Sequence, residues 1–431
     1  MNGLPPRASG PRAWHTAQWL WRYERFSDHA HARHGATYSV DLARLKRAVV
    51  TSDLEAVRRL YTLDPLRVAQ HNEDIASIIG SDSLLQLDPS EHLARRAILR
   101  PSFTGARVRQ CTELITSAAH SAVECLGTGE VTSVRPVAQR FTMDVVLETV
   151  LGVSDPALRT RISNLLTAVF NTRVVALSMI PRLLDRGSPN PVARRYWSRR
   201  DDLDDILLAH IAATRTDPGH GERRDILATM VAARDDAGEG LAAGALRDEL
   251  FLLFVAGNEA TATALAWAAE VLARRPDVVA GLRSGDDRYA DAVTKEVLRL
   301  HPPSPNGPVR RLLDPFPVGA WTLPVGTPFI VDIHGLHHDP ALFPSPAEFR
   351  PERFLDGMMD PYAFGPFGGG AHRCIGAYLA MTEIAAFLRE LVRYDLVPAA
   401  GPARAVRIGP VLAPRGGAKV RAVATTCVNR P

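Results

Sequence analysis

Cysteine is sparse and scattered in this chain of 431 residues. Cys111, Cys125, Cys374 and Cys427 form no CxxC pair, which argues against a disulfide framework and against a paired-cysteine zinc site. Cys111 and Cys125 lie in an apolar helix-like stretch, CTELITSAAHSAVEC, where the expectation is a pair of small core residues, and Cys427 belongs to the terminal tail. Long apolar runs are also missing. The most apolar stretch, Phe251 to Trp267, is broken by Asn258 and Glu259, unlike a lipid-exposed spanning helix. The opening MNGLPPRASGPRAWHTAQWLW has early prolines, and His15, Gln18 and Arg22 interrupt its apolar part, unlike a signal peptide or a membrane anchor. Charge of one sign is not concentrated either: 51 basic and 47 acidic residues are interspersed, for a net charge of +4, which weighs against a nucleic-acid partner. The expectation is a cytoplasmic protein with no membrane anchor.

What is present is ordinary for a folded chain, 46% hydrophobic and 23% charged. Helix-compatible patterns dominate, at Leu93–Leu99, Cys111–Leu126, Leu203–Ala213, Leu246–Arg275, Asp291–Leu300 and Tyr378–Tyr394, while β-like material is confined to Pro315–Ile333 and the C-terminal region. A mainly α fold with small β-sheets follows, and no βαβ series or repeat is visible. Residues 1–25 read as a mobile N-terminal segment. Residues 26–431 read as a single domain, with a proline- and glycine-rich connector from Pro344 to Gly370.

That connector runs into FGGGAHRCIG, Phe367 to Gly376. Three glycines precede Cys374 and Gly376 follows it, just before a proline-free amphipathic segment. A cysteine at a helix start is favoured as the thiolate by backbone N–H groups and the helix dipole. An isolated glycine run would be a turn with a buried thiol beside it. The pattern here is longer: Phe367, Gly370, Cys374 and Gly376 stand at FxxGxxxCxG spacing, which resembles the cysteine-ligand loop of the cytochrome P-450 family, with His372 where that family often faces a haem propionate. The competing dinucleotide loop lacks a GxGxxG register.

Other motifs extend the resemblance. In KEVLRLHPP, Glu296 and Arg299 lie one helical turn apart before Pro302; together with Arg353 in FRPERF they are similar to the family's Glu-Arg-Arg triad, which braces the connector. In ELFLLFVAGNEATATALAW, alanines at 256, 260 and 264 share one helix face, and Ala256, Gly257 and Glu259 match the family's oxygen-binding groove. Gly257 is expected to loosen the helix ladder there. The family's usual threonine is replaced by Ala260, followed by Thr261, which points about 100° away on a helix. In LDPSEHLARR, Asp88, Pro89 and Glu91 mark a helix start that sets His92 and Arg96 one turn apart, similar to the family's HxxxR propionate clamp; Arg310 in GPVRR matches another propionate-facing arginine, with Arg311 its close competitor.

The resemblance implies the cytochrome P-450 fold, with haem b (iron protoporphyrin IX) between the groove helix and the Cys374 loop and Cys374 as axial ligand. The loop glycines would let the flat macrocycle approach the backbone, and the thiolate would favour O–O cleavage. It implies a monooxygenase served by a separate ferredoxin or flavodoxin-type donor with its reductase. Glu259 would deliver protons with Ala260 and Thr261 beside it, and Ile78, Ile79, Phe254, Val309, Val411 and Leu412 would face a lipophilic small molecule. A peroxide-using peroxygenase or isomerase, or a non-catalytic haem-binding protein, are the rival readings.

Overall fold

The computed structural model describes residues 3–43, 45, 47–72, 76–153, 155–169, 184–219, 223, 225–234, 238–355 and 360–424, so that Cys427 lies outside the described residues. The helices that position the candidate site are α1 (Arg12–Trp21), α2 (Tyr23–His34), α3 (Leu54–Tyr61), α4 (Pro89–Leu99), α5 (Val134–Leu151), α6 (Pro191–Thr216), α7 (Ala243–Leu272), α8 (Asp287–Leu300), α9 (Ile333–His337) and α10 (Ala377–Leu391). The fold is mainly α with small sheets, and the chain divides into two compact units. One comprises residues 1–71, 119–138 and 260–431, the other residues 72–118 and 139–259.

The first unit holds the sheets. Its largest has five strands in the order β1 (Thr37–Val40), β2 (Ala48–Thr51), β5 (Pro328–Val331), β4 (Arg310–Leu312) and β3 (Val68–Gln70), with β2 and β5 parallel and the other pairs antiparallel. Val49, Phe329 and Val331 pack there with Val57 and Leu60 of α3 and with Leu336 of α9. A hairpin of β6 (Ala405–Ile408) and β7 (Val411–Pro414) lies nearer the C-terminus. Asp53 caps α3 by accepting from the Ala56 N–H at 2.8 Å, so this helix starts where the sheet's second strand ends and delivers Tyr61 at its far end.

Within the segment expected to be mobile, the described residues 3–25 make defined contacts. The Ala8 N–H donates to the Ser39 carbonyl and the Ser39 N–H to the Pro6 carbonyl, both at 2.8 Å, tying the chain's start to β1. His15 and Tyr23 are buried. The reason is aromatic content that the polar interruptions masked: Trp19 meets Tyr23 edge-on at 4.7 Å between ring centroids, and Trp14, Trp19 and Phe26 meet in the same way.

In the second unit, Asp88 is the residue before α4 and Pro89 occupies its first position, as the sequence indicates, although the Asp88 side chain makes no capping bond. Asn190 caps α6 by accepting from the Val192 N–H at 2.9 Å. Helix α7, contributing to both units, is the one described helix long and apolar enough to cross a membrane, but 72% of that apolar window is buried inside the protein, as in a core helix.

Candidate functional site

Cys374 is exposed at the end of a tight loop in the first unit. Its backbone N–H donates to the Phe367 carbonyl at 2.8 Å and the Arg373 N–H donates to the Gly370 carbonyl at 3.1 Å, closing the loop on itself. Gly368 and Gly370 each have φ of +63°, a conformation glycine adopts at little cost. Gly376 is the residue before α10, and no side chain caps that helix start.

The glycines do a different job from the one expected of them. A Cβ at Gly369 would lie 2.1 Å from the Tyr61 ring, and one at Gly370 would lie 2.2 Å from the Tyr61 carbonyl oxygen, so these two positions admit α3 rather than a flat ligand. Gly368 and Gly376, by contrast, would find nothing within 4 Å. Room for a ligand at this loop therefore lies at its two ends.

Behind the loop, Glu296 and Arg299 of α8 are both fully buried. Arg299 donates to the two Glu296 oxygens at 2.8 and 2.9 Å, and Arg353 donates to Glu296 at 3.2 Å. Arg299 also donates to the carbonyls of His337, Pro346 and Glu348, and the Arg350 N–H donates to Glu296, so the three side chains stitch the connector to α8 through its backbone. His337, which the sequence did not single out, extends this bracing. Its Nε2 accepts from the Gly365 N–H at 3.0 Å, which leaves Nδ1 to donate to the Arg299 carbonyl at 3.0 Å. Burial pushes its pKa down to about 3, so the ring stays neutral and keeps that tautomer.

Arg310, on β4, is the other notable cation of this unit. Burial pulls its pKa down to about 10. Its hydrogen-bond partner is the neutral Gln70 side chain, 3.2 Å away, and among the described residues no carboxylate lies within ion-pair distance. A half-buried guanidinium with no carboxylate beside it among the described residues attracts an anion.

In the second unit, His92 is buried and Arg96 half-buried, one turn apart on α4. Along α7, which is otherwise mostly buried from Phe251 to Glu270, Ala256 is exposed and Gly257, Glu259 and Ala260 are half-buried. Gly257 is a packing glycine: a Cβ there would sit 2.8 Å from Val146 of α5, and the helix runs through it unbroken, so the expected loosening does not occur. Glu259 accepts from the Gln139 side chain at 2.6 Å. Thr261 is buried, and its side chain is hydrogen-bonded to Glu383 of α10, which burial keeps protonated well above the usual carboxylate range. Its hydroxyl is thus engaged away from the place of the absent threonine.

The apolar candidates divide. Ile79, Phe254, Val411 and Leu412 are buried, Ile78 is half-buried, and Val309 packs against the sheet core around Val50 and Ile330. Leu412 uses its N–H on the Pro303 carbonyl and its carbonyl on the Trp267 indole, which fixes the hairpin's position in the first unit.

Further along α4 and α7, Arg95 pairs with buried Glu249 at 2.9 Å. Burial raises the Glu249 pKa to about 7 against the pull of Arg95, so the folded chain holds this proton more tightly than the unfolded one. The associated stability is present below the carboxylate's ordinary pKa and is lost as pH rises through about 7. Melting temperatures of Glu249→Gln and the parent, compared from about pH 5 to about pH 8, should shift steadily in the variant's favour; a pH-independent difference contradicts this.

A helical fold with an exposed cysteine at the end of a glycine loop, backed by a buried Glu-Arg-Arg cluster, defines a haem-thiolate enzyme. The chain belongs to the cytochrome P450 family, whose model, described as Cytochrome P450, matches residues 6–396. Two Mycobacterium tuberculosis relatives, cytochromes P450 135A1 and 137, are each 32% identical to it, over 94% and 97% of this chain and 91% of their own lengths. Among solved structures, a retinoic acid-bound cyanobacterial CYP120A1 superposes with a TM-score of 0.84 at 25% identity, covering 98% of this chain and 99% of its own. The haem domain of a cytochrome P450DA, at 20% identity, has the same TM-score and the same fold. The family is one of monooxygenases that hold haem iron by a cysteine thiolate. The residues present suit that group: a reachable thiol, open space at Gly368 and Gly376, and the half-buried Arg310, which has no carboxylate partner among the described residues, for an acidic substituent.

Proposed function

We propose that this chain inserts one oxygen atom of O2 into a lipophilic small molecule, with electrons from a separate ferredoxin or flavodoxin-type donor and its reductase. Residues 26–431 act as one haem domain, in the cytoplasm. The observation that carries the reading is the exposed Cys374 in its closed loop. The cofactor, when bound, supplies the activation of dioxygen. Cys374 holds its iron, with Phe367, Gly370 and Gly376 shaping the loop. In the first unit Arg310 and His372 offer positive or hydrogen-bonding groups suited to its propionates; His92 and Arg96, one turn apart on α4 of the second unit, are a pair of the same chemistry. Ala256 and Gly257 give a helix face without bulk. Glu296, Arg299 and Arg353 keep the loop in place.

The proton role falls to Glu259 alone, because Ala260 has no hydroxyl and that of Thr261 is engaged by Glu383. Gln139 holds the Glu259 carboxyl in one orientation, so the acid is placed without needing a neighbouring threonine. A lipophilic substrate is supported by the buried apolar side chains of Ile79, Phe254, Val411 and Leu412 and by the retinoic acid in the cyanobacterial neighbour.

The test is product formation from a lipophilic substrate by the purified holoprotein, once with reduced ferredoxin, its reductase and O2 and once with peroxide. Donor-supported, coupled turnover is expected, and Glu259→Gln should lower it by on the order of 10²-fold. Turnover with peroxide and never with the donor would instead identify a peroxygenase. Unchanged coupled turnover in Glu259→Gln would remove that residue from the mechanism.

A further inference from the structure

Within the second unit, a five-residue stretch from Ile78 to Asp82 is held by more buried charge than its size explains. Arg200 of α6 is only 4% exposed and donates from Nη1 to the Ile78 carbonyl at 2.7 Å. Its Nε donates to Asp204 at 2.7 Å, Asp248 stands 4.0 Å from its Nη2, and its guanidinium lies 3.4 Å over the Phe251 ring. From the other end, Asp248 of α7 accepts the Asp82 N–H at 3.2 Å, while Arg95 of α4 donates to the Asp82 carbonyl at 3.0 Å and pairs with Glu249. Between these anchors the chain turns at Gly80, with φ of +91°. A Cβ there would lie 2.0 Å from the Asp248 carboxyl carbon, so the backbone is pressed directly against the acid. Arg247 takes the remaining Asp248 oxygen at 2.7 Å.

Buried ion clusters are poor value as stability alone, since apolar side chains of like volume usually do as well; what they add is a fixed position. Here the fixed object is the backbone from the Ile78 carbonyl to Asp82, which carries Ile79 between its anchors. We propose that Arg200 and Asp248 are positioning residues that set the placement of the Ile78–Ile79 pair, and through it the fit of long apolar ligands. The functional half rests on the reading above that these two isoleucines face substrate. Neither Arg200 nor Asp248 touches ligand; they act through the backbone of residues 78 and 82. The arrangement uses three separate helices, α4, α6 and α7, so a shift in any one of them is transmitted to the same short turn.

The test uses haem-loaded Asp248→Ala and Arg200→Lys, the second keeping the charge while losing the planar fork. Amide exchange at Gly80 and Asp82 should speed up in both. Spectral titration with N-dodecylimidazole should show about tenfold weaker binding, whereas plain imidazole, too short to need the pair, should bind within about twofold of the parent. The parent carrying Ile79→Ala should also bind N-dodecylimidazole more weakly. Unchanged exchange in both variants overturns the clamp. Faster exchange with unchanged dodecylimidazole affinity overturns its link to ligand fit, and if Ile79→Ala is unaffected as well, the failure lies in the substrate-facing reading. Equal weakening of both imidazoles points to general damage at the haem and also overturns the proposal. Should Asp248→Ala yield no holoprotein, Arg200→Lys carries the same readouts.

Discussion

Glu296→Ala should cost about 3–5 kcal/mol of folding stability, because it strips the anion from an arginine that is itself fully buried. The loss has several parts. Arg299 keeps its three carbonyl acceptors but no longer has a countercharge, Arg353 loses its bond to the same carboxylate, and the Arg350 N–H loses its acceptor. Since a domain is typically stable by about 5–15 kcal/mol, this is a large share of the total. The damage should reach the cysteine loop, because the backbone of Arg299 accepts from His337, whose other nitrogen holds Gly365 two residues before Phe367. Denaturant unfolding of the variant, with its haem content, provides the measurement. A change within about 1 kcal/mol and full haem incorporation would show that the cluster is no more than a surface-grade ion pair.

Much of this cluster was legible in the chain because two of its members are neighbours on one helix turn, and the third lies in a short recognisable motif. The FxxGxxxCxG loop was legible for the same reason: its spacing is local. What the sequence did not disclose is what each local motif meets across hundreds of residues. Gly369 and Gly370 are required by Tyr61, some three hundred positions earlier, so the glycines carry a packing constraint where a ligand constraint was expected. Gly257 answers to Val146 in the same way. His337 looked like one histidine among several in IHGLHHDP, and only its two backbone partners reveal what it does. The strands TYSV and AVVT were missed because both are short and fully buried, so they show no alternation of apolar and polar residues. The aromatic packing that orders residues 12–26 was likewise hidden behind polar interruptions. Thr261 hydrogen-bonds to Glu383, an acid more than a hundred residues distant that carries no sequence signal.

Replacing Cys374 by serine should abolish thiolate ligation, and with it all oxygenase turnover, while leaving the fold in place. The side chain is exposed, and the loop's closure depends on the backbone N–H of residue 374 and on Tyr61 filling the space at Gly369 and Gly370. A hydroxyl of nearly the same size disturbs none of these, but it does not ionise near neutral pH and is a poor match for iron held by sulfur. The direct measurement is therefore the absorbance of the reduced protein under carbon monoxide, recorded for the parent and for Cys374→Ser. The parent should give the red-shifted band of a thiolate-bound haem, and the variant should bind haem without it. The same red-shifted band in the serine variant would contradict the assignment of Cys374 as the ligand.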